Sequence, residues 1–382
     1  MKITNITTHC LSSPLANPFA FSQGWIADRT CTLVEVETDQ GLVGWGEAFN
    51  QGLEPPQISA ATIDHALTPL LIGEDPTAIE MLWHRMYHQC RDFGRKGSVM
   101  GAISAIDIAL WDITGQAWGQ PVHKLMGGPF RTHVEPYATG FYRLSGQGEA
   151  ARLADEALEH FANGFRHMKI KLGFGVDDDI EVMQAIGKAI EGKSVRLMVD
   201  SNHAYGFSEA LRLGKALEAY DLRWYEEPVV PEDLAGYARL RQQLTMPIAG
   251  GENEHSLFGY RELLDRQCID VAQPDLGSCG GLTGARHIAT LAHAHGLAVN
   301  PHVWGSAVAQ VASLHFLGAL PVAHHSLYPQ APILEYDQSE HPFRQALIEQ
   351  PVSMHNAQVE IPDAPGLGIS VDRNVIQQYR VT

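Results

Sequence analysis

The fold of this chain is decided by three short apolar runs that each end in a carboxylate: RLMVD at 196–200, RWYE at 223–226 and PIAGGE at 247–252. Their last residues, Asp200, Glu226 and Glu252, follow one another at equal strides of 26 residues, with helix-like sequence between them. In a parallel barrel, the carboxyl ends of successive strands lie side by side at one mouth. The pattern therefore predicts that these three carboxylates converge on one cation.

The same rhythm of apolar run, loop and amphipathic helix extends on both sides of this stretch. Eight runs fit it, and they end near Thr139, Lys171, Asn202, Glu227, Glu252, Asp275, His302 and Tyr336. Eight strand-like runs with helices between most of them predict the α/β class and a parallel (β/α) barrel. An open doubly wound sheet is the alternative. The barrel is favoured because polar residues end nearly every run, and a barrel gathers them into one mouth.

The N-terminal region has a different pattern. Residues 32–38 alternate as a strand does, residues 39–41 are typical of a turn, and residues 42–47 return as a second strand. Helical spacing follows at 100–116. We predict an α+β capping domain at 1–128, the barrel at 129–340, and a C-terminal segment at 341–382 that packs back on the cap.

The charge balance limits the classes of partner. Lys and Arg number 27 against 44 Asp and Glu, which gives a formal net charge of −17. Such a surplus repels nucleic acid and anionic membranes, so neither is expected as a partner. The 5 cysteines show no zinc spacing or disulfide framework, and the sequence has neither a signal-peptide pattern nor an uninterrupted apolar stretch of membrane-spanning length. A cytoplasmic location is expected.

The three strand-end carboxylates indicate the metal. Carboxylate oxygens are hard ligands, and no histidine or cysteine of zinc spacing accompanies them, which favours Mg²⁺ over Zn²⁺ or Cu²⁺. Three protein ligands would leave coordination positions open for a substrate carboxylate. The alternative is that each acid caps the helix that follows it. Capping explains any one of the acids, but not three at equal stride.

Two lysines precede the first acid. Lys169 and Lys171 share one side of a strand, so both point into the barrel or both point out of it. Pointing outward, they would only be solvated. Pointing inward, two ammonium groups would lower each other's pKa, and one would become a base near neutral pH. Their position one strand ahead of Asp200 favours the inward arrangement.

Three further residues end the last runs. Asp275 and His302 fall at adjacent strand ends, where the carboxylate can orient the imidazole and raise its basicity, as in general acid/base pairs. Glu335 ends the eighth run, where it can donate a proton when protonated or bind a water molecule. Since the chain has 19 histidines, the position of His302 carries this prediction.

This set of residues, with YEEP at 225–228 and GGE at 250–252, resembles the mandelate racemase subgroup of the enolase superfamily. The resemblance covers nearly the whole chain. It implies an α+β cap on a modified (β/α)7β barrel of the TIM type, with the cap completed by the C-terminal segment. It also implies Mg²⁺ on the three acids, Lys171 as base on one face of the substrate, and His302, oriented by Asp275, on the other. Within the subgroup, DSNH at 200–203 and PHVWG at 301–305 look most like galactarolactone cycloisomerases and related acid-sugar dehydratases.

The chemistry that the resemblance implies is removal of the proton α to a carboxylate. A dication stabilises the enediolate charge as it develops, which is where catalysis is gained. If a leaving group sits at the β carbon, dehydration or lactone ring opening follows; if not, racemisation or epimerisation follows. Lys171 and His302 permit either outcome. A non-catalytic binding or structural barrel is the alternative of another class, and it is disfavoured because every expected site residue is present.

Substrate choice in this family depends largely on two cap loops, which by resemblance are residues 14–22 and 48–52. We expect Phe21 and Asn50 of these loops, with Asn202 and Glu335, to contact the substrate. The first loop has no Lys or Arg that could hold a second carboxylate. Arg91 and Lys96 are spare cations that could hold such a group, but plain surface charge is the favoured interpretation of both. We also expect a homo-oligomer that acts on a small carboxylate in carbohydrate catabolism.

Overall fold

The computed structural model of the protein describes residues 1–50 and 52–381. The chain opens with an antiparallel sheet of three strands, β1 (Ile3–Phe21), β2 (Gly24–Thr38) and β3 (Val43–Ala48), in that order. The predicted hairpin is confirmed, because β2 pairs with β3 from Thr32 opposite Ala48 to Glu37 opposite Val43. The first hairpin, β1 and β2, extends beyond this sheet toward the mouth of the barrel.

Helices complete the cap on one side of this sheet. They are α1 (Gln57–Thr62), a π-helical turn (Ile63–Leu67), α2 (Thr68–Leu71), α3 (Ile79–Cys90), α4 (Ser98–Trp118) and α5 (Val122–Leu125). Helix α4 lies directly against β3. A Cβ atom at Gly46 would come 1.8 Å from the carbonyl oxygen of Ala105, so only glycine permits this approach of strand and helix.

Within the described residues, α4 alone is long and apolar enough to cross a membrane, with a mean hydropathy of 1.2. In the fold, 89% of its most apolar window is buried. Asp107 and Asp112 interrupt the apolar sequence and accept hydrogen bonds from the backbone of Thr283 and Leu367. Helix α4 is therefore a core helix between the cap sheet and the rest of the molecule.

A short strand, β4 (His133–Val134), leads into a parallel sheet in which strands and helices alternate. Its strands are β5 (Pro136–Gly140), β6 (His167–Lys171), β7 (Arg196–Asp200), β8 (Tyr225–Glu226), β9 (Ile248–Gly250), β10 (Val271–Ala272), β11 (Ala298–Val299) and β12 (Leu334–Asp337). The helices that follow the first seven strands are α6 (Ala150–Ala162), α7 (Val176–Ala189), α8 (Phe207–Leu217) with a 3₁₀ turn (Glu218–Tyr220), α9 (Leu234–Gln243), α10 (Ser256–Asp265), α11 (Gly281–Ala294) and α12 (Ala307–Ala319). This is the (β/α)7β pattern.

The order of the strands decides between the two predicted architectures. They run in sequence from β11 back to β5, and β12 then pairs with β5 in parallel. The last strand therefore lies beside the first, as closure requires, whereas a doubly wound sheet would reverse its order partway. Side chains join the remaining edge, since Asn300 Oδ1 accepts from the Ile333 amide at 2.8 Å and Glu335 Oε2 from the Val303 amide at 2.9 Å. The barrel prediction is confirmed.

The C-terminal segment returns to the cap. It contains α13 (Pro342–Gln345), β13 (Met354–His355), β14 (Gln358–Glu360) and α14 (Arg373–Tyr379), and β14 pairs antiparallel with β4. Arg373 forms a salt bridge with Glu35 of β2, and the Val381 amide donates to the Cys10 carbonyl at 2.9 Å. The last helix thereby lies against the cap sheet and completes it.

Candidate active site

Three buried carboxylates meet at the mouth of the barrel. Asp200 and Glu226 are the last residues of β7 and β8, and Glu252 follows β9 after Gly251, whose φ of +114° turns the chain into the mouth. One oxygen of each carboxylate lies within 4.8 Å of the other two. The equal stride in sequence thus reflects three adjacent parallel strands that are joined in the same way, through one helical connection each.

Both lysines of β6 point inward and pair with these acids. Lys169 Nζ lies 2.6 Å from Glu226 Oε1 and 2.7 Å from Glu335 Oε1. Lys171 Nζ donates to Asp200 Oδ2 at 2.6 Å and to Asn202 Oδ1 at 3.0 Å. The two-residue period of the strand has placed both ammonium groups on the inner face of the barrel.

The second oxygens of two acids are held by neighbouring residues, of which Trp224 and Gln273 were not among the predicted site residues. Glu226 Oε2 accepts from Trp224 Nε1 at 2.8 Å and from Gln273 Nε2 at 2.6 Å. Asp200 Oδ1 accepts from the backbone amide of Asn202 at 2.8 Å. Gln273 stands two residues before Asp275 in its run, so the alternation of a strand was the signal that could have found it.

The oxygen donors of this cluster fit a hard dication. Glu252 Oε2 is buried and has no hydrogen-bond partner among the described residues, although an unpaired buried carboxylate oxygen is strongly disfavoured. Three carboxylates within 4.8 Å of one another also repel unless positive charge offsets them. The three acids, Asp200, Glu226 and Glu252, would hold an Mg²⁺ ion, for which an all-oxygen donor set is typical.

An Asp–His pair faces the triad from the other side of the mouth. His302 Nδ1 lies 2.7 Å from Asp275 Oδ2, and the other Asp275 oxygen accepts from the Gly277 amide at 2.7 Å. This arrangement leaves His302 Nε2 directed at the site, 3.6 Å from Glu252 Oε2. Asp275 therefore sits behind the imidazole and orients it.

The carboxylates dominate the electrostatics of the mouth. Burial alone would lower the pKa of His302, but Glu252, Glu335 and Asp275 outweigh it and raise that pKa to about 10. Burial also lowers the pKa of Lys171, yet the charge of Asp200 outweighs burial and the repulsion of Lys169, so this pKa lies above its ordinary value. The charge of the acids therefore opposes the lowering of pKa that two neighbouring ammonium groups would produce on each other, and a basic Lys171 near neutral pH stays a prediction.

Glu335 lies under the site and not at its surface. Its carboxylate accepts from Thr139 Oγ1 at 2.7 Å and from the Val303 amide, and it pairs with Lys169. Burial raises the pKa of Glu335, but the ammonium of Lys169 outweighs it and holds that pKa well below its ordinary range. A protonated, donating Glu335 is therefore not supported by its surroundings.

The space above these groups is a narrow cavity of about 20 Å³. Its lining residues are Phe21, Tyr142, Lys171, Asn202, Glu252, His302 and Trp304. Of the expected substrate contacts, Phe21 and Asn202 line it. Tyr142 and Trp304 were missed: Trp304 shares the alternation of His302, whereas Tyr142 lies in the loop after β5 and no sequence pattern marked it.

The second cap loop contributes differently from the prediction. The Asn50 amide is occupied within the cap, where it accepts from Thr32 Oγ1 and donates to Glu54 Oε1, both at 2.9 Å. Its neighbour Phe49 reaches the site instead, with its ring centroid 5.4 Å from that of His302. Gln51 of the same predicted loop lies outside the described residues.

The spare cations do not lie in the site. Arg91 and Lys96 line a separate surface cavity of about 960 Å³ between the end of α3 and helix α10. Lys96 pairs there with Glu254 at 2.7 Å, and Arg91 lies over the ring of Tyr87. The larger cavity contains none of the strand-end residues, so the small one is the candidate active site.

Known proteins match the chain over its whole length. The family Mandelate racemase / muconate lactonizing enzyme, N-terminal domain, matches residues 3–127, and the family Enolase C-terminal domain-like matches residues 152–375. A D-galactarolactone cycloisomerase from Agrobacterium fabrum is 42% identical over 100% of this chain and 99% of its own length. An arabinonate dehydratase from Saccharolobus solfataricus is 33% identical over 91% of this chain and 89% of its own.

A solved structure matches as fully. The 3,6-anhydro-D-galactonate cycloisomerase from Zobellia galactanivorans superposes with a TM-score of 0.89 at 38% identity, and the match covers 100% of both chains. The matched residues extend over the cap as well as the barrel, so they include residues on both sides of the cavity.

Proposed function

This chain belongs to the mandelate racemase subgroup of the enolase superfamily and is an enzyme of that superfamily, and on this premise we propose that it removes the proton α to the carboxylate of an acid sugar. The substrate is an aldonate, an aldarate or an aldarolactone, and β-elimination follows, as in a dehydratase or a lactone cycloisomerase. One observation carries this proposal: Lys171 and His302 line the same small cavity directly beside Glu252 of the triad. Removal of an α proton requires groups that transfer protons and a bound cation that holds the substrate carboxylate, and this cavity brings both together.

Mg²⁺ on Asp200, Glu226 and Glu252 would bind the substrate carboxylate and offset the negative charge that develops there when the α proton leaves. Lys171 and His302 are the groups that exchange protons with the substrate, at Nζ and at Nε2. Asp275 keeps the imidazole in the tautomer that presents Nε2. Lys169 holds Glu226 and Glu335 in place and adds positive charge beneath the site.

In the elimination, one of the two groups takes the α proton, the C–H electron pair forms the new double bond, and the β C–O bond breaks. The other group can protonate the departing oxygen, which is water from a hydroxy acid or the ring oxygen of a lactone. Which of the two is the base depends on the configuration of the substrate, and both assignments use the same atoms of the protein.

A racemase or epimerase is the second candidate. It is favoured by the same two-sided arrangement, because a proton taken by Lys171 can be replaced from the His302 side. The relatives named as a cycloisomerase and a dehydratase support elimination as the first choice.

A screen of aldonates, aldarates and their lactones with Mg²⁺ tests the proposal. We expect turnover that EDTA abolishes and Mg²⁺ restores, with loss of water or ring opening visible by proton NMR in D₂O. Exchange of the α proton without either change would replace elimination by the racemase assignment. Failure of every acid in the panel to react or exchange would overturn the proposed function.

Two expectations about the setting of the enzyme accompany the proposal. We infer a homo-oligomer, which light scattering on the purified protein checks against the mass of 41.9 kDa for one chain. We also keep a cytoplasmic location as a prediction, which fractionation of the source cells would check.

A further inference from the structure

One wall of the active-site cavity carries no charge. Phe21, Tyr142 and Trp304 form it, opposite the carboxylates. Among the described residues that line the cavity, Lys171 and His302 are the only cationic groups, and both lie beside the triad. A substrate whose carboxylate binds at the triad would therefore have its far end against aromatic rings.

A guanidinium lies directly behind this wall. Arg29 of β2 has its Cζ atom 3.9 Å from the centroid of the Trp304 ring, and its side chain is only 2% exposed. Its Nε donates to the Glu340 carbonyl at 3.1 Å, and one terminal nitrogen donates to Asp337 at 2.9 Å. The other terminal nitrogen, Nη1, is buried and has no hydrogen-bond partner among the described residues.

The charge behind the wall is not fully neutralised. Asp337 pairs with Arg29 and also with Arg344, whose Nη1 lies 3.3 Å away. Two guanidiniums thus share one carboxylate. The same carboxylate accepts from Tyr142 at 3.0 Å, and the Tyr142 oxygen accepts from Trp304 Nε1 at 2.6 Å. These bonds fix the indole ring over Arg29.

We propose that Trp304 is a specificity-determining residue, which covers Arg29 and so denies an ion pair to a second substrate carboxylate. The inference rests on the proposed function and narrows its substrate class to aldonates, which carry one negative charge before and after loss of water, whereas ring opening of an aldarolactone would leave a second carboxylate in the cavity. An acyclic dicarboxylate would have to bury its second charge against the rings without a partner, which is strongly unfavourable. Hydroxyl groups or a sugar ring can lie on these aromatic faces without that penalty.

The test compares one pair of substrates, a monocarboxylate aldonate and the acyclic aldarate of the same carbon number and configuration. For the unmodified enzyme with Mg²⁺, we expect kcat/KM at least about 100-fold higher for the monocarboxylate. Trp304→Ala removes the ring that lies over the Arg29 guanidinium. In this variant the ratio should shift at least about tenfold toward the aldarate, mainly through a lower KM for it.

Two matched variants identify the cause. Trp304→Phe keeps an aromatic cover and should retain the preference of the unmodified enzyme. Arg29→Gln combined with Trp304→Ala opens the same space without the guanidinium and should show no shift toward the aldarate. Asp337 keeps Arg344 and Tyr142 as partners in the double variant, and thermal unfolding confirms that each variant is folded.

Calorimetric titration of both acids into the Mg²⁺-loaded protein keeps this inference separate from the proposed function. If no acid sugar reacts, the proposed function fails, while the binding ratio and its shift in Trp304→Ala still decide the inference. Equal affinity of the unmodified enzyme for both acids would overturn it. So would a shift toward the aldarate that persists in the double variant.

Discussion

The two walls of the active-site cavity are built from different parts of the fold. The charged wall consists of residues at the ends of strands β6 to β9 and after β11, held by direct salt bridges such as that between Lys171 and Asp200. The aromatic wall consists of Phe21 from the cap hairpin and of Tyr142 and Trp304 from loops. On the proposed function, the barrel would carry the reaction, whereas parts joined to it through tertiary contacts would carry the choice of substrate.

The contacts that join the two walls are specific. The cap hairpin pairs with the loop after β5, where Ala20 and Arg143 exchange backbone hydrogen bonds at 2.7 and 2.9 Å. Ser22 Oγ and Gln23 Nε2 also donate to backbone carbonyls at Ser201 and Asn202, next to Asp200 of the acidic triad. The aromatic wall is thus aligned to the charged wall by hydrogen bonds and not by the backbone of a common strand.

The largest effect should come from breaking the charged wall. Lys171→Met removes a group that on the proposed function exchanges protons with the substrate, and we expect kcat to fall on the order of 10³-fold for any substrate of the enzyme. Steady-state kinetics measure it, with Mg²⁺ titration as evidence that the triad still binds the ion. Lys188→Met, on the exposed face of α7, is the matched control and should leave kcat unchanged. Full activity of Lys171→Met would contradict the role of this wall.

A somewhat smaller effect should follow when the charged wall keeps its groups but loses their alignment. Asp275→Asn removes the carboxylate that orients His302, and kcat should fall on the order of 10²-fold with little change in KM. The control is Asp270→Asn at the other end of the same strand, where the carboxylate pairs with Arg241 far from the mouth. An equal loss of kcat in both variants would show that strand β10, and not the imidazole, is affected.

Substitutions in the aromatic wall should have smaller effects, and these effects should appear mainly in KM and not in kcat. Tyr142→Phe keeps the ring but removes the hydroxyl group that bridges Trp304 and Asp337. The indole then loses one hydrogen bond, which is worth about 1 kcal/mol, so kcat/KM should fall roughly fivefold. We expect most of this change in KM. A fall confined to kcat would show that Tyr142 takes part in the reaction itself. The aromatic wall would then not serve substrate binding alone.

The contacts between the cap hairpin and the charged wall should have the smallest effect on the kinetic constants. The cavity of about 20 Å³ holds little more than one water molecule, so we expect the hairpin tip at 22–23 to move when a sugar acid enters. Gln23→Ala removes one bond that holds the tip closed, and KM should change by only about twofold. Stopped-flow fluorescence should show faster opening of the tip. An unchanged opening rate would mean that Gln23 does not hold it.

His315 lies outside both walls, so its substitution is a control that should leave turnover unchanged. Buried His315 accepts from the His123 backbone amide and donates through Nε2 to the Leu367 carbonyl, so it joins α12, α5 and the C-terminal segment. Burial lowers the pKa of His315 to about 4, below the ordinary 6.5. The folded state therefore requires the neutral ring, and its stability is complete above pH 6.5 and declines as the pH falls toward 4.

The unfolding midpoint should accordingly drop between pH 7 and pH 5, and the drop should be a few degrees smaller in His315→Gln. Circular dichroism at the two pH values measures it, while kcat at pH 7 stays near that of the unmodified enzyme. An identical pH dependence of stability in both proteins would show that another group titrates.

The charged wall was predictable from sequence because strands impose simple periods. Lys169 and Lys171 share a face, and the acids recur with each strand and helix, so both follow from local geometry. The pKa of Lys171 was not predictable, because it depends on how many carboxylates the closed barrel brings near it. Asn50 illustrates the limit of a prediction by resemblance: its amide is occupied by Thr32 and Glu54, and Phe49 reaches His302 instead.

By itself, the sequence determined the class of fold, the set of strand-end groups and the kind of ion that they suit, because these depend on periodicity and on the chemistry of single side chains. Tertiary structure alone decided that Tyr142 and Trp304 face the cavity and that Arg29 lies covered behind them. Those residues are more than 100 positions apart in the chain, and no local period connects them. Only closure of the barrel and docking of the cap bring the Trp304 ring to 3.9 Å from Arg29 Cζ and its Nε1 atom to 2.6 Å from the Tyr142 hydroxyl.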